Sequence, residues 1–159
     1  METRLTHVDE GGNFRMVDVG GKPVTERLAV ARGEIILKPE TISQVKAGTL
    51  KKGDALSVAR IAGVMAAKKT SEIIPLCHPL QLTHIDVDLE IDENLPGICI
   101  TASVKTVGKT GVEMEALTAV AVAALTVYDM VKAVDKHARI QNVRLVEKRG
   151  GRSGVILNE

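Results

Sequence analysis

Aromatic side chains are nearly missing from this sequence: it has no Trp, one Tyr and one Phe, 1% of 159 residues. A core must therefore be assembled from Val, Ala, Leu and Ile, and recognition of nucleic-acid bases by stacking has no aromatic platforms to use. Cysteine is scarce too. The two residues, Cys77 and Cys99, form no C-x-x-C pair, which argues against a zinc ribbon and against a disulfide scaffold. Neither sign of charge prevails: 21 Lys+Arg stand against 20 Asp+Glu, a formal net charge of +1, so no general field draws the chain to nucleic acid or an anionic membrane. The longest apolar run, residues 116–127, is well short of the ~20 residues a membrane span needs. The opening segment METRLTHVDEGGNFRMVDVG has no apolar run and includes acidic residues, unlike a secretory signal or an Arg-rich transit peptide, so the expected location is the cytoplasm. Internal repeats, low-complexity segments and flavin, nicotinamide or cluster signatures are absent as well.

What is present suits one soluble domain, residues 1–159, with 45% hydrophobic and 26% charged residues. Residues 25–38 read as a strand rich in β-formers, with a bulge or bend expected at Gly33. Pro39 opens a short helix that Gly48 ends. Asp54 is a good N-cap for a second helix over 55–69, where Ala59, Gly63 and Ala67 form a small-residue stripe that lets another backbone approach. In residues 84–105, Ile85, Val87, Leu89 and Ile91, then Ile98, Ile100, Ala102 and Val104, alternate with mostly polar neighbours. That period of two predicts an antiparallel hairpin with one apolar face. A long Ala/Leu/Val helix over 112–135 is the expected cover, followed by a strand over 139–147. Residues 148–159, Gly-rich and basic at their start, read as a mobile loop. The expected fold is α+β: helices on one face of a mostly antiparallel sheet.

Asp129 and Lys132 lie three apart near the end of the long helix, on one face. They form either a surface ion pair worth ~0.3–0.5 kcal/mol or an acid/base pair. Their place in an otherwise apolar helix favours the second. Glu113 and Glu115 open the same helix, where carboxylates also complement the dipole. Glu115 and Asp129 are separated by ~20 Å along the axis. One small-molecule pocket on one chain cannot easily use both ends, which hints at sites shared between subunits. In Ile74-Pro75-Leu76-Cys77-His78-Pro79, His78 is either a proton shuttle or phosphate donor, or a hydrogen-bonded loop residue; Cys77 has no activating base in view and reads as packed or inert. His7, His78, His84 and His137 lack metal-ligand spacing. Gly108-Lys109-Thr110-Gly111 resembles the end of a P-loop but has Ser103 where the first glycine belongs. Three Gly-flanked basic loops remain, around Lys52, around Lys109, and in the tail with Lys148, Arg149 and Arg152. Together they point to a small polyanion such as a nucleotide phosphate.

The combination Lys52-Gly53-Asp54, Ala59-Arg60-Ile61-Ala62-Gly63, Ile74-Pro75-Leu76-Cys77-His78-Pro79-Leu80, Thr110-Gly111-Val112-Glu113-Met114-Glu115-Ala116-Leu117-Thr118-Ala119, Tyr128-Asp129-Met130, Lys132-Ala133-Val134 and Gly150-Gly151-Arg152-Ser153-Gly154 closely resembles the cyclic pyranopterin monophosphate synthases, the C proteins of molybdenum cofactor biosynthesis. Leu5-Thr6-His7 and Met16-Val17-Asp18-Val19 match as well, so the likeness spans essentially the whole chain. The resemblance implies a ferredoxin-like two-layer subunit, assembled as a homohexamer, a trimer of dimers, with active sites at subunit interfaces. It implies a phosphorus–oxygen lyase that converts (8S)-3′,8-cyclo-7,8-dihydroguanosine 5′-triphosphate to cyclic pyranopterin monophosphate and releases pyrophosphate. By the same resemblance Asp129, Lys132 and Lys52 are catalytic. Leu76, Cys77, His78, Glu113, Met114, Glu115, Lys148, Asp18 and Arg152 bind substrate. Arg152 stands where lysine is common, which keeps the charge but changes the donor geometry. Proton transfers at carboxylate and ammonium groups, with cations stabilising the departing pyrophosphate, suit this chemistry. No cofactor or protein-bound metal is required, while Mg²⁺ is compatible as a counter-ion of the triphosphate. The competing expectation is a non-catalytic nucleotide-binding regulatory module; RNA binding ranks below it.

Overall fold

A computed structural model describes residues 7–159; Leu5 and Thr6 of the resemblance lie outside them. The chain runs β1 (Thr25–Ile36), α1 (Pro39–Ala47), α2 (Ala55–Lys68), α3 (Thr70–Ile73), β2 (Leu82–Asp92), β3 (Gly97–Gly108), α4 (Glu113–Val131), β4 (Arg139–Arg149) and β5 (Val155–Leu157). The strands form one antiparallel sheet in the order β2-β3-β1-β4-β5. This is the expected α+β, ferredoxin-like two-layer arrangement, with α2 and α4 packed on the sheet.

The hairpin follows its alternation. Ile85 faces Val104, Val87 faces Ala102, Leu89 faces Ile100 and Ile91 faces Ile98 across β2 and β3. Asp92 starts the turn, its Oδ1 accepting from the amides of Asn94 at 2.8 Å and Leu95 at 3.3 Å. On β1 the core face carries small residues, Ala29, Ala31 and Gly33, followed by Ile35. Leu28 and Val30 lie on the other face and are only half-buried. A Cβ at Gly33 would come within 2.6 Å of Val120 Cγ1, so the missing side chain sets how closely α4 lies on the sheet. The expected irregularity is there too, as a register shift between Arg32 and Glu34 against β4.

The small-residue stripe of α2 performs its expected task. A Cβ at Gly63 would meet the Ala119 carbonyl oxygen at 3.0 Å and Val87 Cγ1 at 3.1 Å, so α2 packs backbone-close to α4. Asp54 caps α2, its Oδ1 accepting from the amides of Leu56 and Ser57, both at 3.1 Å. α4 is the one helix among the described residues that is long and apolar enough to cross a membrane by length and composition. Its Ala116, Ala119, Val120, Ala123, Ala124 and Val127 are fully buried in the core, which accounts for that apolar character.

Two departures from expectation bear on the ends of α4 and β4. The long helix ends at Val131 rather than near 135, because Asp135 is needed elsewhere. Fully buried, it accepts hydrogen bonds from Lys38 N at 2.8 Å, Thr41 Oγ1 at 3.2 Å and His137 N at 3.1 Å, tying the end of α4 to the start of α1. Residues 148–159, expected as a loop, are a correction as to secondary structure. Lys148 and Arg149 complete β4, residues 150–154 turn the chain, and β5 returns to pair with β4. Gly150, Gly151 and Gly154 have φ of +94°, +76° and +64°, so the glycines that suggested a loop supply a tight turn instead.

Candidate functional site

The end of β3 and the start of α4 bring together most of the residues singled out in the sequence. A cleft of about 400 Å³ is lined by Val17 and Val19 from the N-terminal segment, Leu76, Cys77 and His78 from the Pro-bounded loop, and Glu113, Met114 and Glu115 from the first turn of α4. His78 Nε2 donates to the Val17 carbonyl at 2.7 Å, since a carbonyl can only accept. This bond requires a proton on Nε2. Glu115 is only 4% exposed, and its carboxyl is pushed above the usual range by burial, helped by the nearby charge of Glu113. The Cys77 thiol is pushed up as well, by burial first and by Glu115 second, so it is not an activated nucleophile. Asp18 sits on the segment that lines the cleft, but its own carboxylate is exposed and accepts from the Gly20 amide at 2.8 Å.

A second cleft of about 350 Å³ opens beside the first and shares Lys22, Thr110, Gly111 and Glu113 with it. Its cations are Lys22, Arg27, Lys109, Lys148 and Arg152, and Glu113 is its one carboxylate among the described residues. Glu113 forms an ion pair with Lys148. Lys109 Nζ donates to the Gly20 carbonyl at 2.6 Å, which ties the N-terminal segment to the rim.

Arg27 and Lys22 were not foreseen. Arg27 is 8% exposed, and its Nε has no hydrogen-bond partner among the described residues. It stands on the core face of β1 in register with Ala29 and Ala31, and a charge on an apolar face is the signal that could have exposed it. The Gly-Gly turn is what admits it. A Cβ at Gly151 would lie 1.9 Å from Arg27 Nη1, and one at Gly150 would lie 2.2 Å from the Glu26 carbonyl oxygen.

Lys52, Asp129 and Lys132 form a separate group at the other end of α4. Lys52 Nζ is 2.7 Å from Asp129 Oδ2 and 2.8 Å from the Asp129 carbonyl, while Lys132 Nζ is 2.8 Å from Oδ1. The hydrogen bond from Lys132, then that from Lys52, holds the Asp129 carboxyl down at about 2. The same bond raises the Lys132 ammonium. Lys52 thus joins the carboxylate rather than the basic loops near Lys109 and Lys148. All three side chains are about half exposed, at 42% for Lys52, 55% for Asp129 and 54% for Lys132. In this chain alone the group opens to solvent, and fourteen residues of helix, about 21 Å, separate it from Glu115.

A family model described as the MoaC family matches residues 16–151. A protein of Roseiflexus sp. (strain RS-1) is 59% identical over 155 residues, covering 98% of each chain. One of Roseiflexus castenholzii is 61% identical over 155 residues with the same coverage. One of Thermomicrobium roseum is 61% identical over 150 residues, covering 94% of this chain and 90% of the relative. Each of the three is named cyclic pyranopterin monophosphate synthase.

Proposed function

The chain belongs to the MoaC family, and on that premise we propose that it performs the reaction for which its relatives are named, forming cyclic pyranopterin monophosphate in molybdenum cofactor biosynthesis. The substrate is (8S)-3′,8-cyclo-7,8-dihydroguanosine 5′-triphosphate. The observation that carries this reading is the pair of joined clefts, one lined by five cations and the other by a buried carboxyl, two histidines and Met114. The triphosphate takes the cationic cleft and the purine-derived rings take the other. Lys148, Arg152, Arg27, Lys109 and Lys22 hold the phosphates. Leu76, Cys77, His78, Met114 and Glu115 line the ring pocket, with Asp18 on the covering segment.

Ring rearrangement is proton traffic without net redox change. Closing the cyclic phosphate forms one P–O bond at the α-phosphorus and breaks the bond to the departing pyrophosphate, whose charge the cations stabilise. Asp129, Lys132 and Lys52 are the proton-carrying group. Paired with one another in water, an ionised Asp129 and a firmly protonated Lys132 are a resting ion pair. They become useful when substrate and a second subunit exclude solvent and separate them. Two observations support a homo-oligomer with each site made by the N-terminal end of α4 from one subunit and the C-terminal end from another, and the family resemblance makes that oligomer a hexamer, a trimer of dimers. The two groups lie at opposite ends of one rigid helix. Val58, Ile61 and Met65 form an exposed apolar row on α2 that suits subunit packing. We place the enzyme in the cytoplasm. Mg²⁺ enters with the triphosphate as part of the substrate.

Incubation with the cyclised dihydro-GTP nucleotide should release pyrophosphate and yield the pyranopterin. Asp129→Ala should keep binding and lose product. Binding without turnover in the wild-type chain would favour the nucleotide-binding module instead.

A further inference from the structure

We propose that Glu113 is an internal competitor for the phosphate cleft: in the free chain its carboxylate sits where a phosphate oxygen would sit over Lys148, and it must move aside when a polyphosphate binds. This rests on the assignment of the cationic cleft as the phosphate site.

Two independent features make the seat. The first is charge. Among the described residues Glu113 is the one carboxylate in a lining that carries Lys22, Arg27, Lys109, Lys148 and Arg152, and its ion pair is with Lys148. Both side chains are about three-quarters buried, at 25% and 23% exposure, so water screens the pair less than a surface contact. The second is shape. A Cβ on Gly111 would fall 1.9 Å from Glu113 Oε2 and 2.8 Å from Oε1. The carboxylate therefore lies folded back over the bare Cα of Gly111, in a space that any side chain at 111 would take. Gly111 has no positive φ to explain its presence. The seat is a better account of this glycine than backbone conformation.

The chemical consequence concerns product. An unopposed cluster of five cations would hold the released pyrophosphate tightly. A tethered carboxylate that returns to Lys148 replaces one phosphate contact at no diffusional cost and speeds its departure. Glu113 acts here on the affinity of the cleft, alongside any contact it makes with substrate.

Titration calorimetry with inorganic pyrophosphate at fixed ionic strength tests this. Glu113→Gln should tighten binding about tenfold, because the rival charge is gone while the shape stays. Gly111→Ala should tighten it by a smaller factor, because the displaced group is the far end of a flexible side chain. Both gains should vanish when combined with Lys148→Met, and circular dichroism should show all variants folded. Equal or weaker binding by Glu113→Gln overturns the proposal, and so does a gain that survives Lys148→Met. Arg27→Met separates the two layers of argument. If wild type binds and Arg27→Met does not, the phosphate cleft stands whatever Glu113 does. If wild type fails to bind, both fall.

Discussion

Mixing two inactive variants should restore activity if the sites are shared between chains. Asp129→Asn removes the charge that holds Lys52 and Lys132 at one end of α4. Glu115→Gln removes the buried carboxyl at the other end with almost no change of shape. Asp129→Asn should lower kcat by roughly 10²–10⁴, the usual contribution of a positioned acid or base, and Glu115→Gln should lower turnover through the ring pocket it lines. The two positions are about 21 Å apart on a straight helix, too far to meet around a bicyclic ring system on one chain. In a two-fold pair that joins the N-terminal end of one α4 to the C-terminal end of the other, a mixed dimer has one site with both lesions and one with neither. Random pairing after joint unfolding and refolding at equal concentrations makes about half the dimers mixed, so about a quarter of wild-type activity should return. Pyrophosphate release before and after refolding is the assay, with each variant refolded alone as control. Recovery no greater than the sum of the two parents would refute shared sites.

Further outcomes follow from single side chains. Asp129→Asn should leave the pH 7 urea midpoint nearly unchanged, since both ion pairs are solvent-exposed. Because the folded carboxyl is depressed to about 2, what stability it adds is present above the unfolded value of 3.8 and is lost as pH falls toward 2. Glu115→Gln should have the opposite profile. The folded carboxyl is raised by burial, so the native state binds the extra proton, and wild type loses stability relative to the variant as pH rises past 4.5. Matched urea titrations at pH 4 and pH 8 should show the variant gaining on wild type at the higher pH. Gly63→Val should destabilise by about 2–3 kcal/mol by thermal melt, because backbone at Ala119 cannot yield to a side chain placed 3.0 Å from its oxygen. Asp135→Asn should cost about 1–3 kcal/mol. An amide in that fully buried site brings two donors to a place arranged for three donors facing one carboxylate.

The parts that were legible in the sequence are those where neighbours along the chain share one fate. Residues 84–105 alternate because each pair of positions sees core and then solvent, and the register follows from that alternation. Asp54, Gly48 and the Ala59–Gly63 spacing are equally local, and each lies where its chemistry requires. The strand pairing of the tail is not legible in the sequence for a definable reason. Glycine in a loop and glycine in a hairpin turn look alike in sequence, and only the pairing of Lys148 with Ala29 on one side and Ile156 on the other distinguishes them. Arg27 was hidden by the same limit. Nothing near it in sequence reveals that Gly150 and Gly151 fold down beside its guanidinium.

The division of the site was readable only as a contradiction. Helix arithmetic placed Asp129 and Glu115 too far apart for one pocket, and the structure keeps them apart, with Lys52 drawn to Asp129 instead of to the other basic loops. A long helix buried along its middle is well suited to such a division. Its core contacts fix both ends relative to each other, so on the proposed reading a subunit offers the phosphate cleft at one end and the acid/base group at the other, neither adequate alone. That reading makes turnover depend on assembly. A variant that weakens subunit contact, such as Ile61→Asp in the exposed row of α2, should leave pyrophosphate binding to the cationic cleft intact while turnover falls with dilution. A subunit that keeps full turnover when sedimentation shows only monomer would mean that α4 does not divide the work.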